Sequence, residues 1–301
     1  MPQSILIDTD AGDDIDDLFA IAFALLRPEL TVEAITTVSS LSARRALLIQ
    51  RLLDSARKSA IPVAAGCELP LRPVTEAERA MVAEAYRSNH APAGDEQAEA
   101  ALAATDAVST IIETVNRRPG EVGIVAIGPL TNIAAALVRR ADLASKIPYI
   151  ALMGGEVVLT RAEHNISWDP EAAAIVLSAG VPIFLGTWDV TRRFVLLPED
   201  LEAFRKSTAP LHRMLIESLD LWWPHRGGKP GPVMYDLAPI AWSMDRSLYA
   251  TQPMTIAVET QGAHTRGWTV RVPGPANADV SVDMRADDVK ALYLETLLGT
   301  H

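Results

Sequence analysis

The ten residues Asp8-Thr-Asp-Ala-Gly-Asp-Asp-Ile-Asp-Asp17 carry six aspartates, and they stand between two segments that both read as buried. Ser4-Ile-Leu-Ile7 before them has the make-up of a core strand, and Leu18-Phe-Ala-Ile-Ala-Phe-Ala-Leu-Leu26 after them is apolar on every side of a helix. The acids therefore occupy a strand-to-helix loop pinned at both ends. Carboxylates a few ångströms apart repel and raise one another's pKa, while a helix N-terminus returns only about 0.3–1 kcal/mol per acid. A bound cation resolves the conflict. Oxygen ligands with no His or Cys beside them favour Ca²⁺ or Mg²⁺ over zinc.

A merely solvated acidic loop fits poorly between two buried flanks, whereas open α/β sheets bind ligands just beyond their strand C-termini. An EF-hand fails on register. With Asp8 and Asp10 at loop positions 1 and 3, Gly12 falls at position 5, where a ligand is needed, and no Glu stands at position 12.

At 301 residues and 49% hydrophobic content the chain can bury a large core. Its longest apolar run, Leu18 to Leu26, is far short of the ~20 residues a membrane-spanning helix needs. There is no basic n-region followed by an apolar h-region at the start, so a cytoplasmic protein is expected. The single cysteine, Cys67, excludes an internal disulfide framework and reads as a small buried hydrophobe. A net charge of −11 argues against nucleic-acid polymers and anionic membranes as partners, leaving small ligands.

Along the chain, strand and helix patterns alternate. Thr31–Val38, Ile61–Ala65, the segment from Gly123, Tyr149–Gly155 and Val181–Leu185 read as strands; Ser42–Lys58, the stretch from Asp106 to Arg118, Leu201–Trp223 and Asp288–Leu298 read as helices. Asp10, Gly128, Gly155 and Asp189 then fall just past strand ends, on one edge of the sheet. This spacing predicts an α/β fold with an open, mainly parallel, doubly wound (Rossmann-like) sheet and helices on both faces, as one domain spanning 1–301. Residues 66–104 and 207–235 are expected to form loops and helices over the site. Thr131 or Asn132 is expected to cap the helix after Gly128-Pro129, and Asp169, Pro170 and Gly180 are helix punctuation.

Several of these stretches, in this order, resemble the nucleoside hydrolase family of the inosine-uridine preferring type. The family's Asp-x-Asp-Pro-Gly-x-Asp-Asp is met by Asp8 to Asp17, with Ala11 for Pro and the closing acid pair two residues late. Anchored on the helix, that pair is Asp16-Asp17; anchored on Gly12, its first member is Asp14. Gly128-Pro-Leu-Thr-Asn132, Met153-Gly-Gly155, Glu163-His-Asn-Ile-Ser-Trp-Asp-Pro-Glu-Ala-Ala173 and Gly186-Thr-Trp-Asp-Val-Thr191 match further family segments. Asn89-His90-Ala-Pro-Ala-Gly94 is similar to a His-Gly-x-x-Gly segment. Where the family has His-Asp-Pro, this chain has Tyr235-Asp236-Leu237. After Val38 the family carries a Gly and then an Asn or Asp, and here Ser39-Ser-Leu41 stands.

The resemblance implies Ca²⁺-dependent hydrolysis of the N-glycosidic bond of ribonucleosides by a homodimer or homotetramer. It implies Ca²⁺ held by Asp10, Asp17, Asp236 and the Ile127 carbonyl, or by Asp14 under the other anchor, with Asp10 as general base. Asp16, Glu163, Asn165 and Asp236 would meet the ribose, and Met153 and Trp222 would meet the substrate. Tyr235, His225 and His90 are the candidates for helping the base leave. Two other readings stand beside this one: a Mg²⁺-dependent phosphohydrolase built on Asp8-x-Asp10, and a non-catalytic calcium- and ribose-binding relative.

Overall fold

The computed structural model describes residues 2–78, 80, 96–159, 161–225 and 230–299, except for the side chain of His225. Its main sheet has eight strands: β1 (Gln3–Thr9), β2 (Leu30–Thr37), β3 (Val63–Ala65), β4 (Val122–Ala126), β5 (Ile150–Met153), β6 (Ile183–Gly186), β7 (Tyr249–Met254) and β10 (Ala278–Met284). They lie in the order β3-β2-β1-β4-β5-β6-β10-β7. All neighbours are parallel except β7, which runs antiparallel to β10 at one edge. A separate ribbon pairs β8 (Ile256–Val258) with β9 (Thr269–Arg271).

The central strands are apolar without alternation because both faces are covered. Along β1, Ile5 and Ile7 point into one core and Leu6 into the other. The first core takes α1 (Asp16–Leu26), α2 (Ser42–Ser55) and the helices Pro210–Trp222, Leu237–Met244 and Ala286–Leu298. The second takes the helices Ala107–Arg117, Thr131–Arg139 and Pro170–Leu177. Phe19, Phe23, Ile49, Phe184 and Tyr293 are fully buried in the first core, where Phe23 stacks on Tyr293. This is the open, mainly parallel α/β sheet that the strand-helix spacing predicts.

Two local expectations are corrected. The run Leu201–Trp223 is two helices, Pro198–Lys206 and Pro210–Trp222, because Pro210 lacks the N–H an interior turn requires and instead takes the first turn of the second helix. Thr131 and Asn132 do not cap their helix. Thr131 donates to Asp169 Oδ2 at 2.7 Å, and Asn132 Nδ2 donates to Asp8 Oδ1 at 2.8 Å and to the Thr37 carbonyl at 2.9 Å. Asp106 and Asp169 do cap, accepting from the backbone of Val108 and Ala172. Within 66–104, the helix Glu96–Ala103 lies against α2 through Leu102 and the Arg44–Glu99 pair.

The strand order reverses between β1 and β4: successive strands run outward from β1 through β2 to β3, and from β4 through β5 to β6. At such a switch point the loops after the two strands diverge to opposite faces and leave a crevice. Here those loops are the aspartate cluster and Ile127-Gly128.

Candidate active site

β1 delivers Asp8, Thr9 and Asp10 to the crevice, and β4 delivers Ile127. The two strand ends touch, since the Ile127 N–H donates to the Asp8 carbonyl at 2.8 Å. A Cβ on Gly128 would stand 2.8 Å from the Asp10 backbone nitrogen and 3.1 Å from Asp10 Oδ1, so only glycine lets the strands close this tightly. The resulting cleft holds about 240 Å³ and is lined by Asp10, Asp14, Asp16, Asp17, Ile127, Met153, Glu163, Asn165, Tyr235 and Asp236 from the sequence reading, joined by Asp13, Arg161, His164 and Trp188. A larger surface hollow of about 800 Å³ beside Glu113, Arg117 and Arg139 contains no group of acids placed to share an ion among the described residues.

Asp16 and Asp17 open α1, and Asp236 sits at the start of the helix Leu237–Met244. One carboxylate oxygen from each lies within 4.8 Å of the others, and all three residues are buried. Thr9 donates its hydroxyl to Asp17 Oδ1 at 2.5 Å, and the Asp236 N–H donates to Asp16 Oδ2 at 3.2 Å. Burial first, and repulsion by neighbouring acids next (Asp14 for Asp16, Asp10 for Asp17, Asp16 for Asp236), hold these three carboxyls well above the usual carboxylate range. Asp8, wholly buried beneath them, is pushed up to about 7 by burial, against the hydrogen bonds it accepts from Thr36 and Asn132.

Asp13 and Asp14 have different surroundings. Asp13 accepts two bonds from Arg45 Nη2, each 3.0 Å, and Arg45 is fully buried. The same guanidinium donates to the carbonyls of Ser40 and Ala11, at 2.9 and 3.2 Å, and to that of Asp10. Arg45 was not legible as a site residue, because an Arg in a helix with exposed polar neighbours reads as solvated. Asp14 faces the cleft and accepts from the Ile15 N–H at 2.8 Å. Ser39, at the family's Gly position, has φ +73°, a left-handed conformation that glycine adopts without strain.

On the β5 side, Glu163 caps the helix His164–Trp168. Its Oε2 accepts from Gly155 N–H at 3.0 Å and Ile166 N–H at 3.2 Å, and its Oε1 from Asn165 N–H at 3.0 Å. Asn165 Nδ2 donates to the Met153 carbonyl at 3.1 Å and faces the Ile127 carbonyl at 3.5 Å. His164 Nε2 lies 3.7 Å from Asp10 Oδ2; that neighbouring carboxylate raises the imidazole to about 9, although 67% of the side chain is exposed.

The remaining wall is aromatic and cationic. Trp188 and Tyr235 share this wall, and burial chiefly raises the pKa of the Tyr235 hydroxyl. Arg161 sits 4.0 Å from the centroid of the Trp188 ring, and Arg192 sits 4.7 Å from it. Trp222 is placed in the core, edge-on to Trp223, and does not line the cleft. His225 closes a short turn, Trp223–His225, with its side chain outside the described residues, and His90 lies outside them altogether.

Three buried carboxylates with no sulfur or imidazole among them suit a hard divalent cation, whose charge offsets the burial and repulsion that raise their pKa values. The fold and the cleft define an α/β enzyme with a metal-ready acidic centre at its switch point.

Comparison with known proteins identifies the family. The model of the inosine-uridine preferring nucleoside hydrolases matches residues 5–292. The pyrimidine-specific ribonucleoside hydrolase RihA of Salmonella arizonae is 33% identical over 314 aligned residues covering 99% of both chains. RihA of Escherichia coli O9:H4 is 34% identical over 301, covering 94% of both. The solved plant nucleoside hydrolase PpNRh1 superposes over the whole of both chains with a TM-score of 0.84 at 28% identity. The chain belongs to the inosine-uridine preferring nucleoside hydrolase family, and it is a hydrolase of N-glycosidic bonds in ribonucleosides.

Proposed function

We propose that the protein is a Ca²⁺-dependent ribonucleoside hydrolase that prefers pyrimidine nucleosides, with Asp10 as general base. The observation that carries this reading is the trio Asp16, Asp17 and Asp236, buried with oxygens within 4.8 Å of one another beside Asp10. Asp17 and Asp236, with Asp10 and the Ile127 carbonyl, would hold the ion. Bound there, calcium would supply fixed positive charge for orienting ribose hydroxyls and a water, but it acidifies water too weakly to deliver hydroxide at neutral pH.

Proton removal then falls to the protein. Asp10 accepts the proton of the attacking water, a role for which a carboxylate at the rim of the acidic centre is suited. Asp16 accepts from one ribose hydroxyl, while Asn165, held by the Met153 carbonyl, and Glu163, held by three backbone N–H groups, present fixed polar atoms to the sugar. As the glycosidic bond stretches, the ring gains oxocarbenium character, and the surrounding carboxylates stabilise that charge. Segments 66–104 and 207–235 are taken to cover the bound substrate, the second through Tyr235. The preference for pyrimidines is taken from the RihA relatives. A cytoplasmic homodimer or homotetramer is part of the same reading, carried by the family resemblance.

Metal analysis of active protein, with turnover of uridine, cytidine, inosine and p-nitrophenyl riboside, tests the reading; p-nitrophenyl phosphate serves as the control. One Ca²⁺ per chain and loss of turnover in Asp10→Asn with the fold intact are expected. Active protein free of divalent metal would overturn the calcium assignment, and full turnover by Asp10→Asn would overturn the base.

A further inference from the structure

The cleft has two chemistries. One end is the carboxylate centre; the other is Trp188, Tyr235 and Arg161, the last on the segment between β5 and the helix His164–Trp168. Arg161 lies on the Trp188 ring and lines the same cleft as Tyr235. Among the described residues no carboxylate forms an ion pair with Arg161, as is also true of Arg192 and Arg246, but of these three only Arg161 lines the cleft. Arg192 approaches the same indole yet does not line the cleft. A cation kept without an anion, fixed on an aromatic ring and turned to a substrate cleft is placed to receive negative charge from the substrate.

Resting on the ribohydrolase reading, we infer that Arg161 is the leaving-group residue: held on Trp188, it donates to the carbonyl oxygen of an oxo base, such as uracil or hypoxanthine, as the glycosidic bond breaks. The electron pair of the C1′–N bond passes to the base and is delocalised onto its carbonyl oxygen, where the guanidinium meets it. The oxygen of water bonds to C1′, and its proton goes to Asp10 and from there to solvent. The released base anion takes a proton from solvent, so ribose and neutral base are the products. A guanidinium stays charged at every working pH, so it stabilises the leaving group without surrendering a proton. That supplies the help an imidazolium would give, in a chain that has Tyr235 where its family has His. The substrate class follows. Bases with a carbonyl conjugated to the glycosidic nitrogen are favoured, and adenosine, whose base has none, is a poor substrate.

The experiment compares Arg161→Gln, Arg161→Lys and Arg192→Gln with the wild type on uridine, inosine, adenosine and p-nitrophenyl riboside. Loss of one donor to a developing oxyanion costs ~10²–10³-fold in turnover. Arg161→Gln is therefore expected to lose that factor in kcat/KM on uridine and inosine, but under about threefold on p-nitrophenyl riboside, whose phenolate departs without help. Adenosine turnover falls far less than that of uridine, Arg161→Lys recovers part of the loss, and Arg192→Gln stays within about twofold of wild type on all four. A merely structural role would slow every substrate alike, and that result, or an unchanged uridine rate in Arg161→Gln, overturns the assignment. A wild type inert towards every riboside overturns instead the functional reading beneath it.

Discussion

Separating Asp13 from Arg45 should damage folding far more than ion binding. The Arg45–Asp13 contact is a two-oxygen pair at 3.0 Å, with Arg45 at 0% and Asp13 at 21% side-chain exposure. With an effective dielectric near 20, two unit charges at that distance attract by about 5–6 kcal/mol before desolvation is subtracted. Burying the guanidinium offsets much of this, so the pair is worth little against an apolar substitute, but removing one partner alone typically costs ~3–5 kcal/mol. Arg45→Met also strips three backbone carbonyls, those of Ser40, Asp10 and Ala11, of their donor. It should lie at the upper end, about 4–5 kcal/mol. Asp13→Asn leaves Arg45 those carbonyls and keeps two polar atoms in place, so about 1–3 kcal/mol is expected. Urea unfolding of both single variants and the double variant, in EDTA, should give a coupling of about 1.5–3 kcal/mol. Isothermal titration with Ca²⁺ should then find Asp13→Asn within about threefold of wild type, the effect of one charge beyond the ligand shell, while Asp17→Asn binds no measurable calcium. Arg45→Met folding within 1 kcal/mol of wild type, or calcium lost from Asp13→Asn and kept by Asp17→Asn, would refute the division of labour.

Gly128→Ala places a methyl 2.8 Å from the Asp10 nitrogen and 2.9 Å from Val38 Cγ1, so a loss of about 1–3 kcal/mol in thermal unfolding and ~10²-fold in kcat is expected; normal turnover would show that the Asp10 loop is not held by this contact. The carboxyls of Asp8, Asp16, Asp17 and Asp236 have folded pKa values above the ordinary 3.8, so the metal-free folded state binds more protons than the unfolded one. The stability of EDTA-treated protein should therefore fall as pH rises from about 4 through about 7, the value for Asp8, with calcium giving its largest gain in Tm at the alkaline end; a Tm that climbs over that range would contradict the sign. Tyr235→Phe removes a hydroxyl from the cleft wall it shares with Trp188 and Arg161 and should slow uridine about tenfold more than p-nitrophenyl riboside, the effect of one lost hydrogen bond to the departing base with no proton transferred; equal slowing would free Tyr235 from any part in departure of the base.

The acidic loop and its flanks were legible because their pattern is local: an apolar run, acids, then an all-round apolar helix can only be a buried strand, a loop and a buried helix. The structure opens α1 at Asp16, and the edge that carries Asp10, Gly128 and Gly155 followed from strand ends alone. What stayed hidden depends on contacts between distant residues. Arg45 sits in a polar-looking helix start, and nothing nearby in sequence tells that its guanidinium is buried against Asp13 and the Asp10 carbonyl. Arg161 meets Trp188 only once two loops converge. The one available signal was the tryptophan in Gly186-Thr-Trp-Asp189, a large ring just past a strand end. The helix break at Pro210 was legible in principle, since a proline inside a helical pattern marks a start or a stop.

The place of β10 in the sheet bears on how the polypeptide is made. This strand lies between β6 and β7, parallel to one and antiparallel to the other, and Thr187 bonds to Ser281 across a separation of 94 residues. As the chain leaves the ribosome at ~5–20 residues per second, β6 keeps a naked edge for several seconds after its other neighbour β5 is in place. Phe184 and Leu185, fully buried in the finished molecule, wait beside that edge for Asp279 and Val280. Nascent protein is thus most prone to pair with a stranger after β6 has emerged and before β10 has, and a slow-translated stretch in that interval should raise aggregation without altering one residue of the active site.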